Sequence, residues 1–352
     1  MGIFDGFKKE KKTIQENYEP QKQFETNSNA EEVNVSENEA HQAPVAPPTF
    51  TVENTYQPPT VVKMPASSAH YTAQNAPSGF VSTPIRPYEE KMPVNHVVGE
   101  TKIISITNQK GGVGKSTTAV NLSAALGELG MQVLLVDLDP QGNTTSGLGV
   151  EKSQLHQCIY DTMLNDVPIE EIIIPDVCPG LDLVPATINL AGAEVELVSA
   201  MARENRLKEA LAPMRGKYDY IFIDCPPSLG LLTINAFVAA DKLIIPIQTE
   251  FYALEGVTKL LESTKLVKNR LNPTLEVFGI LLTMYDGRTT LARQVAAEVK
   301  NFFGDQVFET IIPRTVKLSE APSYGTPITQ YDPQGKGALS YVSLAKEVIQ
   351  RG

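Results

Sequence analysis

The run Lys110-Gly111-Gly112-Val113-Gly114-Lys115-Ser116-Thr117 packs three glycines, two lysines and two hydroxyl side chains into eight residues. Glycines let a backbone turn wrap closely, so that successive N–H groups point inward at an anion. A strand before the turn and a helix after it are the setting in which such a loop holds phosphate. Lys115 then places a charge on the β- and γ-phosphates of a nucleoside triphosphate, and the Ser116 hydroxyl stands where it can ligate Mg²⁺. The usual spacing, G-x-x-x-x-G-K-[ST], needs glycine at 109, where this chain has Gln109. Lys110 instead brings a second positive charge into the loop. Its stem leaves the first turn, from which it cannot easily reach its own phosphate but could reach that of a neighbour across a dimer interface. Carboxylates complete the set. Asp224 follows the apolar run Tyr220-Ile221-Phe222-Ile223, so it emerges at a strand tip, where ligands bind in open α/β sheets. Asp137 and Asp139 lie two residues apart and, at strand spacing, face the same side.

Short β-branched runs alternating with helical stretches supply the frame for these groups. Strands are expected at 103–107, 132–136, 181–184, 220–223, 243–247 and 277–282, and helices at 116–129, 193–211, 253–271, 291–303 and 338–351. Strand–helix alternation implies right-handed crossovers. The expected fold class is therefore α/β, with a single doubly wound, mostly parallel sheet covered by helices on both faces. One domain from 99 to 352 is the economical division. Residues 1–98 differ in kind: Pro, Gln, Asn, Ser, Thr and Glu dominate without a period of 2 or 3.6, the composition of a disordered tail.

Within the folded part, Lys110 to Thr117 resembles the phosphate loop of the deviant Walker ATPases, a family that includes the ParA/Soj partition ATPases and MinD. Leu134-Leu135-Val136-Asp137-Leu138-Asp139-Pro140-Gln141-Gly142-Asn143 is similar to the second ParA/Soj motif, and the segment Tyr220 to Gly230 to its Walker B strand. Ile312-Pro313-Arg314 and Leu318-Ser319-Glu320-Ala321-Pro322 extend the resemblance towards the C-terminus. It implies a P-loop fold, ATP and Mg²⁺ as cofactors, and hydrolysis of ATP to ADP and phosphate. It further implies that Lys110, Lys115 and Asp139 act in catalysis, with Asp139 orienting the attacking water, and that Ser116, Asp137 and Asp224 serve the metal. An ATP-dependent homodimer, a ParB-like centromere-binding partner and non-specific DNA follow as partners, in a cytoplasmic, nucleoid-associated protein that segregates a chromosome or plasmid.

Bulk properties limit these readings. A net charge of −11 argues against a generally basic nucleic-acid binder, so a DNA-binding surface must be local. Arg288, Arg293, Arg314 and Lys317 are the candidates, with ordinary solvated charges as the competing explanation. Cys158, Cys178 and Cys225 lack the C-x-x-C spacing of a zinc or iron–sulfur site. His156 has no identifiable relay partner. A MinD-like protein acting at a membrane surface is the alternative function. Its anchor would be Ile3, Phe4 and Phe7 beside Lys8, Lys9, Lys11 and Lys12; a C-terminal helix packed on the sheet is expected rather than a membrane-binding one.

Overall fold

The computed structural model describes residues 98–251, 253–254 and 257–352. The tail and its basic, apolar start lie outside the described residues. Seven strands form one sheet: β1 (Lys102–Ile106), β2 (Val133–Asp137), β3 (Ile174–Cys178), β4 (Leu181–Val184), β5 (Tyr220–Asp224), β6 (Lys242–Gln248) and β7 (Glu276–Thr283). Their order is β3-β4-β2-β5-β1-β6-β7, and every neighbouring pair is parallel except β3 with β4. The central strands read as almost unbroken apolar runs because a parallel sheet is covered on both faces. Period 2 sorts their side chains into two cores. Ile103, Leu134, Val136, Ile221 and Ile223 pack on one face; Ile104, Ile106, Val133, Leu135 and Phe222 pack on the other.

The helices used below are α1 (Lys115–Glu128), α2 (Asn143–Gly147), α3 (Leu190–Glu196), α4 (Arg206–Leu211), α5 (Leu231–Ala239), α6 (Val257–Arg270), α7 (Thr290–Phe303) and α8 (Lys336–Arg351). As expected, the C-terminal helix is packed in: Tyr341, Leu344, Ala345 and Val348 are buried in the same core as Leu122 and Leu126 of α1. The Tyr341 and Thr118 hydroxyls meet at 3.3 Å. Among the described residues, no helix is long and apolar enough to cross a membrane.

Two expected helices need correction. The single helix over 193–211 is in fact α3, a one-turn 3₁₀ segment at Leu197–Ser199, and α4. The break is held from a distance. Asn235, buried on α5, donates to the Arg203 carbonyl at 2.8 Å and accepts the Leu207 N–H at 3.2 Å, satisfying groups that a continuous helix would have paired internally. Ala202 sits in the left-handed region at φ 50°, so the helix cannot run through it. The helix expected from 253 begins only at Val257, after a turn through Ala253 and Leu254. Strand β3 has no counterpart among the expected strands. It is a short antiparallel edge containing Pro175 and a register shift, with Asp176 at φ 52°, features that blunt an exposed edge and hide it from a pattern search.

Candidate active site

The phosphate loop leaves β1, which lies between β5 and β6, and is tied to the two strands beyond it. The Asn108 side chain donates to the Pro246 carbonyl at 2.7 Å, while its oxygen accepts the Lys110 N–H at 3.0 Å. Thr283, at the end of β7, donates to the Val113 carbonyl at 2.8 Å. Gly112 and Gly114 take φ values of 72° and 90°, which side chains with a Cβ rarely adopt, so here glycine is required by conformation. Gly114 caps α1, whose first-turn N–H groups have no partner inside the helix and are free for an anion.

Lys115 curls back over the loop and donates to the Lys110 carbonyl at 3.2 Å. Its ammonium is buried, and loss of solvation lowers its pKa; the charges of Asp224 and Asp139 pull the other way. Lys110 is half-buried, and among the described residues its ammonium has no ion-pair partner.

Asp137 and Asp224 are register partners at the tips of β2 and β5, and neither is exposed to solvent. Burial pushes both carboxyls above the ordinary carboxylate range, and the charge of Asp224 adds to the rise at Asp137. Hydrogen bonds from Thr145 oppose the rise at Asp137, and Thr144, Ser116 and the Lys115 charge oppose it at Asp224. The Asp139 N–H donates to Asp137 Oδ1 at 3.2 Å, and Asp139 Oδ1 accepts the Gln141 N–H at 2.9 Å. Asp224 Oδ1 is buried with no hydrogen-bond partner. A bare, buried carboxylate oxygen beside Ser116 suits a small hard cation that takes oxygen ligands. Among the described residues no three His, Cys, Asp or Glu side chains cluster to hold a metal by themselves. Such a site fits a cation that shares its coordination with phosphate and water.

A cavity of about 570 Å³ is lined by Gly111, Gly112, Gly114, Lys115, Ser116, Thr117 and Asp139 together with Pro227, Met284, Pro322, Ser323 and Thr326. It falls within the usual range for a small-molecule site. Cys225 follows Asp224 but is fully buried, and its thiol is pushed well above the usual range, which removes it as a nucleophile.

Structure thus brings together Lys110 to Thr117, Asp137, Asp139 and Asp224. Arg288, Arg293, Arg314 and Lys317 lie elsewhere, on two segments joined where the Tyr285 N–H donates to the Ile312 carbonyl and the Arg314 N–H donates to the Tyr285 carbonyl. Arg288 forks onto Asp286 at 2.9 and 2.7 Å, Arg293 donates to the Gly287 carbonyl at 2.8 Å, Arg314 lies 3.7 Å from Glu250, and Lys317 lies 3.0 Å from Glu320. Sequence reasoning missed Asn108, Thr283, Thr144 and Thr145. All four are small polar residues whose partners in the site include groups distant in the chain.

A Gly-rich turn between β1 and α1, with a buried lysine and Asp139 lining one cavity and buried carboxylates at the tips of β2 and β5, defines a P-loop nucleotide-binding protein. Residues 101–277 match the AAA domain family. The chain is 58% identical over 251 residues to the sporulation initiation inhibitor protein Soj of Bacillus subtilis, covering 71% of this chain and 99% of that protein. It is 54% identical over 250 residues to the chromosome partitioning protein ParA of Myxococcus xanthus, covering 71% and 88%. The crystal structure of cobyrinic acid a,c-diamide synthase from Mycobacterium smegmatis with bound ADP and magnesium superposes with a TM-score of 0.63 at 39% identity, over 71% of this chain and 94% of that one. The chain belongs to the Soj/ParA family of chromosome-partitioning ATPases.

Proposed function

We propose that the protein is a Mg²⁺-dependent ATPase that dimerises on ATP, binds DNA without sequence preference, and works with a ParB-like centromere-binding partner to segregate a chromosome or plasmid from a nucleoid-associated position in the cytoplasm. The observation that carries this reading is the cavity lined by the loop, Lys115, Ser116 and Asp139, with a buried carboxylate, Asp224, that has one oxygen without a hydrogen-bond partner and whose charge acts on Lys115. Phosphoryl transfer needs positioning and charge neutralisation rather than a nucleophilic side chain.

In this reading the loop amides and Lys115 hold the β- and γ-phosphates, and Asp139 orients the attacking water. Ser116 and Asp224 hold the cation, which screens phosphate charge when bound. Asp137, both of whose oxygens are engaged by protein donors, supports the metal shell indirectly and holds the backbone at Asp139. Lys110, with no ion pair of its own among the described residues, reaches the nucleotide of the second protomer. The identity with Soj and ParA supports the partitioning role. Cosedimentation of the full chain with DNA and with anionic vesicles, each with ATP and with ADP, tests it: ATP-dependent pelleting with DNA is expected, and pelleting only with vesicles would overturn it in favour of action at a membrane surface.

A further inference from the structure

Two threonines adjacent in sequence hold carboxylates from two different strands. The Thr144 hydroxyl donates to Asp224 Oδ2 at 2.7 Å. Thr145 donates twice to Asp137 Oδ2, through its N–H at 2.8 Å and its hydroxyl at 2.7 Å, while its hydroxyl oxygen accepts the Ala186 N–H at 3.0 Å. Both threonines are fully buried, so the short helix α2 is fastened to β2, to β5 and to the segment after β4.

The two clamps differ in what they leave open. Asp137 is satisfied at both oxygens, because Oδ1 takes the Asp139 N–H. Asp224 accepts the Thr144 hydroxyl at Oδ2, whereas Oδ1 is buried without a hydrogen-bond partner, with the Ser116 side chain close by. A carboxylate buried for packing alone is ordinarily satisfied throughout, since an unpaired buried oxygen carries a desolvation cost. A hydroxyl on one oxygen restricts rotation of the carboxylate and thereby determines which oxygen is left for another ligand.

We propose that Thr144 is a positioning residue for the cation site: by engaging Asp224 Oδ2 it presents Oδ1 to the divalent cation that accompanies the triphosphate, directly or through a water. The assignment rests on the ATP and Mg²⁺ reading above. It separates the two threonines by role, Thr144 serving the cation and Thr145 the backbone of the Asp139 turn. Threonine at 144 is then required for its donor and not for its volume, so serine should replace it and valine should not.

The test is the affinity of the full chain for a fluorescent ATP analogue during a Mg²⁺ titration and in EDTA, with the melting temperature of the nucleotide-free protein measured alongside. Thr144→Val is expected to need about tenfold more Mg²⁺ for half-maximal tightening, with affinity in EDTA within about twofold of wild type, and Thr144→Ser to restore the wild-type requirement. An unchanged Mg²⁺ requirement in Thr144→Val, or an equal loss of affinity in EDTA, would overturn the assignment and make Thr144 a packing residue. Should the valine variant fail to fold, Thr144→Ala carries the same expectation and the same refutation. If wild-type affinity itself ignores Mg²⁺, the cation reading fails with it; if wild type responds and Thr144→Val responds equally, only the role of Thr144 falls.

Discussion

The nucleotide end of the sheet and the cationic segments around Arg288 and Lys317 use charge in opposite ways. At the nucleotide end Lys115, Asp137 and Asp224 are buried, and the two carboxylates are held by hydrogen bonds from other elements of the fold. Around Arg288 the charges are exposed, and Arg288 and Lys317 are paired with acids two or three residues away. Buried charge without solvent has its geometry imposed by neighbours, whereas an exposed ion pair contributes little and exchanges easily with water or another anion. The first region is therefore committed to one ligand geometry. The second can exchange its local acid for another anion, which is what the proposed DNA surface requires.

The largest expected effect is at the committed end. Lys115→Ala should lower ATP affinity by two to three orders of magnitude, about 3 to 4 kcal/mol, measured by equilibrium binding; unchanged affinity would break the assignment of the loop. Asp139→Ala should bind ATP within a few-fold of wild type yet turn over about 100-fold more slowly, since positioned acid–base groups contribute at least that much. Rapid phosphate release from this variant would remove Asp139 from the reaction. Lys110→Gln should still bind ATP but stay monomeric with it by analytical ultracentrifugation, and a normal dimer would show that the loop's second lysine serves its own protomer.

The smallest effect belongs to the exchangeable region. Arg288→Ala with Lys317→Ala should reduce the log–log salt slope of DNA binding by about 0.9 for each phosphate no longer neutralised, while ATP affinity and basal hydrolysis persist. An unaltered slope would move the DNA surface elsewhere, and loss of dimerisation would mean these residues are structural.

The same contrast sets what the sequence made legible. Glycine and lysine spacing identified the loop because the requirement is local: Gly112 and Gly114 need their left-handed conformations whatever lies around them. Asp224 could be placed at a strand tip because four apolar residues precede it in β5. Thr144 was illegible, since its partner lies 80 positions away and nothing in Asn143-Thr144-Thr145 marks a hydroxyl as engaged. The break between α3 and α4 was hidden for the same reason: Asn235 resembles any helix asparagine until its bonds to Arg203 and Leu207 are seen. The four cations could be named, but not the groups that hold them.

Packing of α8 on α1 has a consequence for synthesis. The Thr118 hydroxyl, one turn into the helix that presents the phosphate loop, meets Tyr341 across 223 positions, and Asn121 accepts the Ile328 N–H across 207. Pairings of such sequence separation form late, after the intervening chain has been ordered. A nascent chain that has emerged as far as the Walker B strand carries every residue of the phosphate loop, yet the helix behind that loop still lacks the wall it packs against. The helix behind the loop is therefore walled in only once the chain as far as Val348 has been made.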